Sequence, residues 1–129
     1  VVVRGPFRAG SFVVVLEEGG ESVKYLLLIC GDESAAAHAD DGCGGWVAEM
    51  EQRGLLRATG GLQPPGEAKT VRVRRRQLMI SDGPFAETKE QIAGFCLIEC
   101  ADLAEATGIA ARHPAAGYGT IEVRELRQP

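Results

Sequence analysis

Aromatic side chains are scarce in this chain, with one tryptophan, two tyrosines and four phenylalanines among 129 residues. So few rings leave no interleaving of basic and aromatic residues, which is the pattern that stacks single-stranded bases. Positive charge is not in excess either. Fourteen basic against 18 acidic side chains give a formal charge of -4, which offers no general attraction to phosphate backbones or anionic lipid. Nucleic acid is therefore not an expected partner. Long apolar runs are missing: the longest, Tyr25-Leu26-Leu27-Leu28-Ile29-Cys30, falls well short of the roughly 20 residues that span a bilayer. Arg4 and Arg8 ahead of Phe12 to Leu16 imitate a signal peptide only faintly, because the stretch runs into Glu17-Glu18 without a small-residue cleavage pattern. The expectation is a cytoplasmic protein that does not engage the membrane. The two histidines, His38 and His113, are far apart, and the four cysteines contain no Cys-x-x-Cys pair, so no metal site is expected. Cys30, Cys96 and Cys100 lie in apolar, strand-like runs and read as buried free thiols. With no phosphate loop, Gly-x-Gly-x-x-Gly or Gly-x-Ser-x-Gly in the chain, no cofactor is expected.

What is present is enough apolar residue, 45% of the chain, to build one core in a single domain without a disulfide or metal. From Val23 the pattern alternates between strand and helix. Val23 to Gly31 reads as a strand apolar on both faces. Trp46, Val47 and Met50 fall at helical spacing, with Gly54 as a C-terminal stop. The glycines from Gly42 to Gly45 argue that this helix is short. Leu55 to Leu62 is a second strand, ended by Gln63-Pro64-Pro65-Gly66. Thr70 to Arg74 alternates with period two, and Gln77 to Ser81 returns against it through Arg75-Arg76 as a hairpin with one wet face. Ile92 to Cys100 is another apolar strand, Asp102 caps a helix reaching about Arg112, and Thr120 to Leu126 is a last strand with Ile121 and Val123 inward. This order is an α+β, ferredoxin-like β-α-β-β-α-β plan with an inserted β-hairpin. Two helices cover one face of such a sheet, so the apolar open face predicts a homodimer with the sheets face to face. Residues 1–22 read as an N-terminal extension, either an arm or an edge strand formed by Phe12 to Leu16, and residues 23–129 as the domain.

The densest chemistry is in Asp82-Gly83-Pro84-Phe85-Ala86-Glu87-Thr88-Lys89-Glu90. Glycine and proline make a sharp, rigid turn, and rigid turns position their neighbours. Asp82 and Glu87 flank the turn as candidate acid–base carboxylates, with Lys89 near enough in sequence to bias them and Phe85 as an apolar wall. The plainer reading keeps Asp82 as a turn cap, Phe85 as a core plug and the charges as a solvated face. His113, before Pro114, is the other acid–base candidate, or else a complement to the preceding helix C-terminus. Arg72, Arg74, Arg75 and Arg76 form the one basic cluster. Arg72 is positioned to meet an anionic ligand, unless the cluster only protects an exposed hairpin edge.

The run Asp82 to Glu90 resembles the DGPF-domain proteins of the YCII-related (YciI-like) superfamily. The likeness extends to Lys24 to Leu28, Gly61-Leu62-Gln63-Pro64, Thr70-Val71-Arg72, Gly94-Phe95, Arg112-His113-Pro114 and Gly119 to Arg124. It implies a ferredoxin-like subunit pairing into a dimeric α+β barrel. Relatives in the wider superfamily resemble small-molecule enzymes using a His/Asp pair, whereas the DGPF branch is associated with extracytoplasmic-function sigma factors. No such dyad maps residue by residue onto Asp82 or His113. The leading expectation is a protein that binds an unidentified small molecule, with Gly83, Pro84, Phe85, Lys89 and Arg72 as ligand contacts. Asp82, Glu87 and His113 would then be the catalytic groups of a cofactor-independent lyase or isomerase. The alternative is a non-catalytic ligand-binding or regulatory module linked to sigma-factor-controlled transcription.

Overall fold

The computed structural model describes residues 6–8, 11–12, 22–32, 43–86 and 88–129. Within the first 21 residues, β1 (Pro6–Arg8) and β2 (Ser11–Phe12) pair as a small antiparallel ribbon separate from the main sheet. The expected strand from Phe12 to Leu16 lies, beyond Phe12, outside the described residues, as does His38.

The body is an α+β arrangement. Strands β3 (Val23–Gly31), β4 (Leu56–Gly61), β7 (Gln91–Cys100) and β8 (Thr120–Glu125) form an antiparallel sheet in the order β4-β7-β3-β8. The two most apolar segments are its central strands, as expected for strands with neighbours on both sides. Their alternation sets the faces. Tyr25 and Leu27 of β3, with Cys96, Ile98 and Cys100 of β7, point to one side and are buried. There they meet Trp46 and Met50 of α1 (Cys43–Gln52) and Ala106, Ile109 and Ala110 of α2 (Leu103–Ala111). Ile121 and Val123 of β8 complete this core, as their alternation predicts. The opposite face carries Leu26, Leu28, Phe95 and Leu97, paired Leu26 with Leu97 and Leu28 with Phe95 and only half-buried.

The first helix differs from expectation, because it begins at Cys43 and includes Gly44 and Gly45. The first N–H groups of a helix have no intrahelical partner in any case, so flexible residues cost less there than in the middle. Trp46 and Met50, one turn apart and both buried, anchor the helix from within. It closes where sequence places the stop, the Leu55 N–H donating to the Met50 carbonyl at 3.0 Å just past Gly54. The second helix is capped at Asp102, whose carboxylate accepts the Glu105 N–H at 2.8 Å, while the Glu105 carboxylate accepts the Ala101 N–H at 2.7 Å. None of the four cysteines forms a disulfide, and Cys96 and Cys100 are buried on the core face. Burial pushes the Cys100 thiol up to about 11, which keeps it protonated and unreactive.

Between β4 and β7 the chain makes a 3-10 turn, Pro65–Glu67, and then the hairpin of β5 (Lys69–Arg74) and β6 (Gln77–Asp82). This hairpin is a sheet of its own. Arg75 and Arg76, at φ 52° and 66°, form its two-residue turn, the left-handed geometry that matches strand twist in tight hairpins.

Candidate functional site

The hairpin ends at Asp82, opposite Lys69 in the ladder. The lysine ammonium donates to the Asp82 carboxylate across the pair. The Asp82 side chain is 82% exposed, so this is a surface ion pair rather than a buried acid. Gly83 follows at φ +87°, a conformation open to glycine and strained for other residues. Both of its backbone groups are tied back to the start of the hairpin. Its N–H donates to the Ala68 carbonyl at 2.7 Å, and its carbonyl accepts the Thr70 hydroxyl at 2.8 Å. The turn is therefore held against Ala68 and Thr70 by hydrogen bonds that the sequence signalled only as rigidity.

A second staple closes the loop on its far side. The Gln91 side-chain amide donates to the carbonyls of Ala86 and Thr88, at 2.9 Å each, and lies 3.1 Å from the Thr88 hydroxyl. The Thr88 hydroxyl in turn donates to the Glu90 carbonyl. These bonds fix a short excursion of chain without burying it. Between the two stapled segments lies an open cleft of about 450 Å³ lined by Pro65, Gly66, Gly83, Pro84, Thr88, Lys89 and Gln91. The Lys89 ammonium lies 4.0 Å from the Asp32 carboxylate at the end of β3, so the cleft has one cation at its wall and a partly neutralising acid nearby.

The residues anticipated from sequence separate into three groups. Gly83, Pro84 and Lys89 line the cleft. Phe85 and Arg72 do not, and instead stack on each other, the guanidinium 4.6 Å from the ring centroid. Phe85 is 75% exposed, so the reading of it as a core plug is corrected: Gly83 and Pro84 carry the chain outward before Phe85 is reached. Glu87 lies outside the described residues. His113 is elsewhere, buried between the helices and β8. Its ring meets Trp46 edge-on with centroids 4.6 Å apart, and Nδ1 accepts the Ala115 N–H at 3.0 Å, capping the 3-10 turn Pro114–Gly117. Burial pushes its pKa below the ordinary histidine value, so the neutral ring is the stable form in place. It is not among the cleft-lining residues.

Pro65, Gly66, Thr88 and Gln91 line the cleft without having been expected as site residues. Pro65 and Gly66 were visible as a turn signal, but nothing in the sequence showed which loop that turn would face. Among the described residues no group of three or more His, Cys, Asp or Glu could hold a metal. No described helix is long and apolar enough to cross a membrane.

The model of the YCII-related domain matches residues 23–128. The chain belongs to the YCII-related family. It is also 43% identical over 119 residues to an uncharacterized protein of Rhizobium meliloti (strain 1021), covering 79% of this chain and 90% of that one. The YCII-related match begins at β3, so it leaves the β1–β2 ribbon outside the family domain.

Proposed function

We propose that this YCII-related protein binds a small polar or anionic molecule in the cleft between Pro65-Gly66 and the loop from Gly83 to Gln91. The observation that carries the reading is the cleft's lining, which sets one ammonium, Lys89, among glycine, proline and hydroxyl or amide groups held by local staples. A preformed concavity with a few fixed polar groups is the usual form of a small-molecule site. Recognition is better supported than acid–base turnover. The Asp82 carboxylate is engaged by Lys69 in solvent, and no carboxylate or imidazole is among the lining residues described.

A thermal-shift screen of carboxylates, phosphates and amino acids tests this. A ligand at about 100 times its Kd stabilises the protein by roughly 2.7 kcal/mol, which is readily seen as a rise in Tm. The expected result is a stabilising compound whose effect is lost in Lys89→Ala and kept in Asp82→Ala. The reverse pattern, or consumption of the compound that stops in Asp82→Ala, would overturn the assignment in favour of a lyase or isomerase.

The assembly proposed with it is a ferredoxin-like subunit paired through open sheet faces into a dimeric α+β barrel. Support comes from the order β4-β7-β3-β8 and from the apolar strip Leu26, Leu28, Phe95 and Leu97 on the side away from both helices. Such strips are stabilised by removal from water at about 25 cal/mol per Å², and two-fold pairing provides that removal reciprocally.

A further inference from the structure

The order β4-β7-β3-β8 decides what lies under the first helix. β3 and β4 both pair antiparallel with β7, one on each side of it, so α1, on the connection between them, crosses over β7. Its position along that strand is fixed at its far end. The Leu55 N–H donates to the Met50 carbonyl, the Leu55 carbonyl accepts the Glu99 N–H at 2.8 Å, and Leu56 stands opposite Ile98. Met50 therefore lies over the Leu56–Ile98 level. Because the chain turns straight back from α1 into β4, going back from Met50 to Cys43 covers about 10.5 Å in the direction β4 runs. That is roughly three strand residues at about 3.3 Å each. Three residues on from Leu56 is Thr59, whose ladder partner is Cys96.

Both sulfurs face the same layer. Cys43 shares the helix stripe of Trp46 and Met50, which are buried on the sheet, and Cys96 is buried on the helix-facing side of β7. Their electrostatics agree with that placement. Burial pushes the Cys96 thiol above its ordinary value, the Thr59 hydroxyl 3.4 Å from its sulfur opposes the shift, and Cys43 adds to it, an influence only a nearby group exerts. The other two cysteines are engaged elsewhere. The Cys30 thiol donates to the Leu28 carbonyl at 3.7 Å and the Cys100 thiol to that of Asp102 at 3.6 Å. Cys43 is half-buried, so solvent reaches it, whereas Cys96 is buried. An accessible thiol beside a sheltered one is the arrangement of an oxidisable cysteine with its resolving partner.

We infer that Cys43 and Cys96 are a redox pair, in which a peroxide oxidises Cys43 and Cys96 resolves it as a disulfide tying the start of α1 to β7. The deprotonated Cys43 sulfur attacks one peroxide oxygen and breaks the O–O bond, forming the sulfenic acid and releasing hydroxide, which takes up a proton and leaves as water. The Cys96 sulfur, losing its proton, then attacks the Cys43 sulfur and expels a second hydroxide, which also leaves as water. Two thiols thus give up two electrons and two protons, and hydrogen peroxide becomes two waters. A disulfide needs its Cα atoms within about 7 Å, and the start of the helix supplies the adjustment. Gly44 and Gly45 follow Cys43 with nothing within 4 Å of a Cβ placed on either, and the N–H groups of a first helical turn have no intrahelical partner to lose.

The test treats the reduced full chain with a few equivalents of hydrogen peroxide, blocks remaining thiols with N-ethylmaleimide in urea, and reads the intact mass and the unreduced digest by mass spectrometry. The expected product is a single chain in which two of the four cysteines no longer take up maleimide and the fragments join Cys43 to Cys96. Dithiothreitol should restore all four. Trp46, the one tryptophan and one turn from Cys43, gives a second readout: its emission should change on oxidation and return on reduction. Cys43→Ser, at a half-buried position, should abolish both the linkage and the emission change, while Cys30→Ser should keep them. Uptake of four maleimides after peroxide overturns the pair, as does a Cys43 carried to sulfinic acid with Cys96 still a thiol. A linkage that uses Cys30 or Cys100, or that joins two chains, overturns it as well.

Discussion

Arg75 and Arg76 occupy backbone positions that L side chains rarely adopt, at φ 52° and 66°. Each such residue costs on the order of 1 kcal/mol relative to glycine or asparagine. Arg75→Asn with Arg76→Gly should therefore tighten the hairpin. Because the hairpin packs on little else among the described residues, the gain should be local. Amide exchange at Arg72 and Met79, a hydrogen-bonded pair of the hairpin ladder, should slow by about tenfold, while the core amides of β3 and β7 and the global Tm stay in place. Unchanged exchange at the hairpin would show that the turn is not strained. His113 gives a second prediction with a definite sign. Its folded pKa lies below its unfolded value because burial disfavours the imidazolium, so between those two values the unfolded chain binds more protons. The stability it contributes is full above about pH 6.5 and is lost as pH falls towards the folded pKa. His113→Asn keeps an acceptor for the Ala115 N–H but removes the titration. It should lower stability by roughly 1–3 kcal/mol through lost packing against Trp46, and the gap from wild type should narrow between pH 7.5 and pH 5. A gap independent of pH in urea titrations would contradict this.

The loop from Gly83 to Gln91 works as an element because its two ends are fixed independently, one by Ala68 and Thr70 and the other by Gln91. Gly83→Ala should strain the first attachment, costing about 1–2 kcal/mol at φ +87°, and should weaken binding of any cleft ligand more than it lowers Tm. Asp82→Asn, by contrast, removes only an exposed ion pair and should change stability by less than about 1 kcal/mol. Equal damage from the two variants would mean that the Asp82–Lys69 pair, not Gly83, holds the loop. Most elements were legible in the sequence because each depends on local pattern. The apolar runs gave β3 and β7, the period-two alternation gave β5 and β8, the return through Arg75-Arg76 gave β6, and Asp102 with Glu105 gave the start of α2. The start of α1 was not legible, because glycine propensity argued locally against a helix that buried Trp46 and Met50 hold through tertiary contact. The site was half legible. Gly83, Pro84 and Lys89 lie within the motif itself, whereas Pro65 and Gly66 reach the cleft only because the hairpin brings positions 65 and 83 together through Lys69–Asp82 pairing.

At the scale of the whole molecule, the sheet has helices on one side and Leu26, Leu28, Phe95 and Leu97 on the other. All four are only half-buried in the single chain, although they belong to its two central strands. Burying that strip against a second copy couples folding to association, so the proposed pairing makes Tm depend on protein concentration. Leu97→Arg places a charge at the middle of the strip, cross-strand from Leu26, where it would have to be desolvated between two sheets without a partner. An unpaired buried charge is strongly unfavourable, whereas the same arginine on an open, solvated face is nearly neutral. The expected outcome is a wild-type dimer at about 10 μM whose Tm rises with concentration, and a Leu97→Arg monomer whose Tm is lower and independent of concentration. The variant should keep the α+β circular-dichroism spectrum of the wild type, because the helix-facing core of Tyr25, Leu27, Cys96 and Ile98 is untouched. If Leu97→Arg instead sediments as a dimer with wild-type affinity, the open face is not the interface.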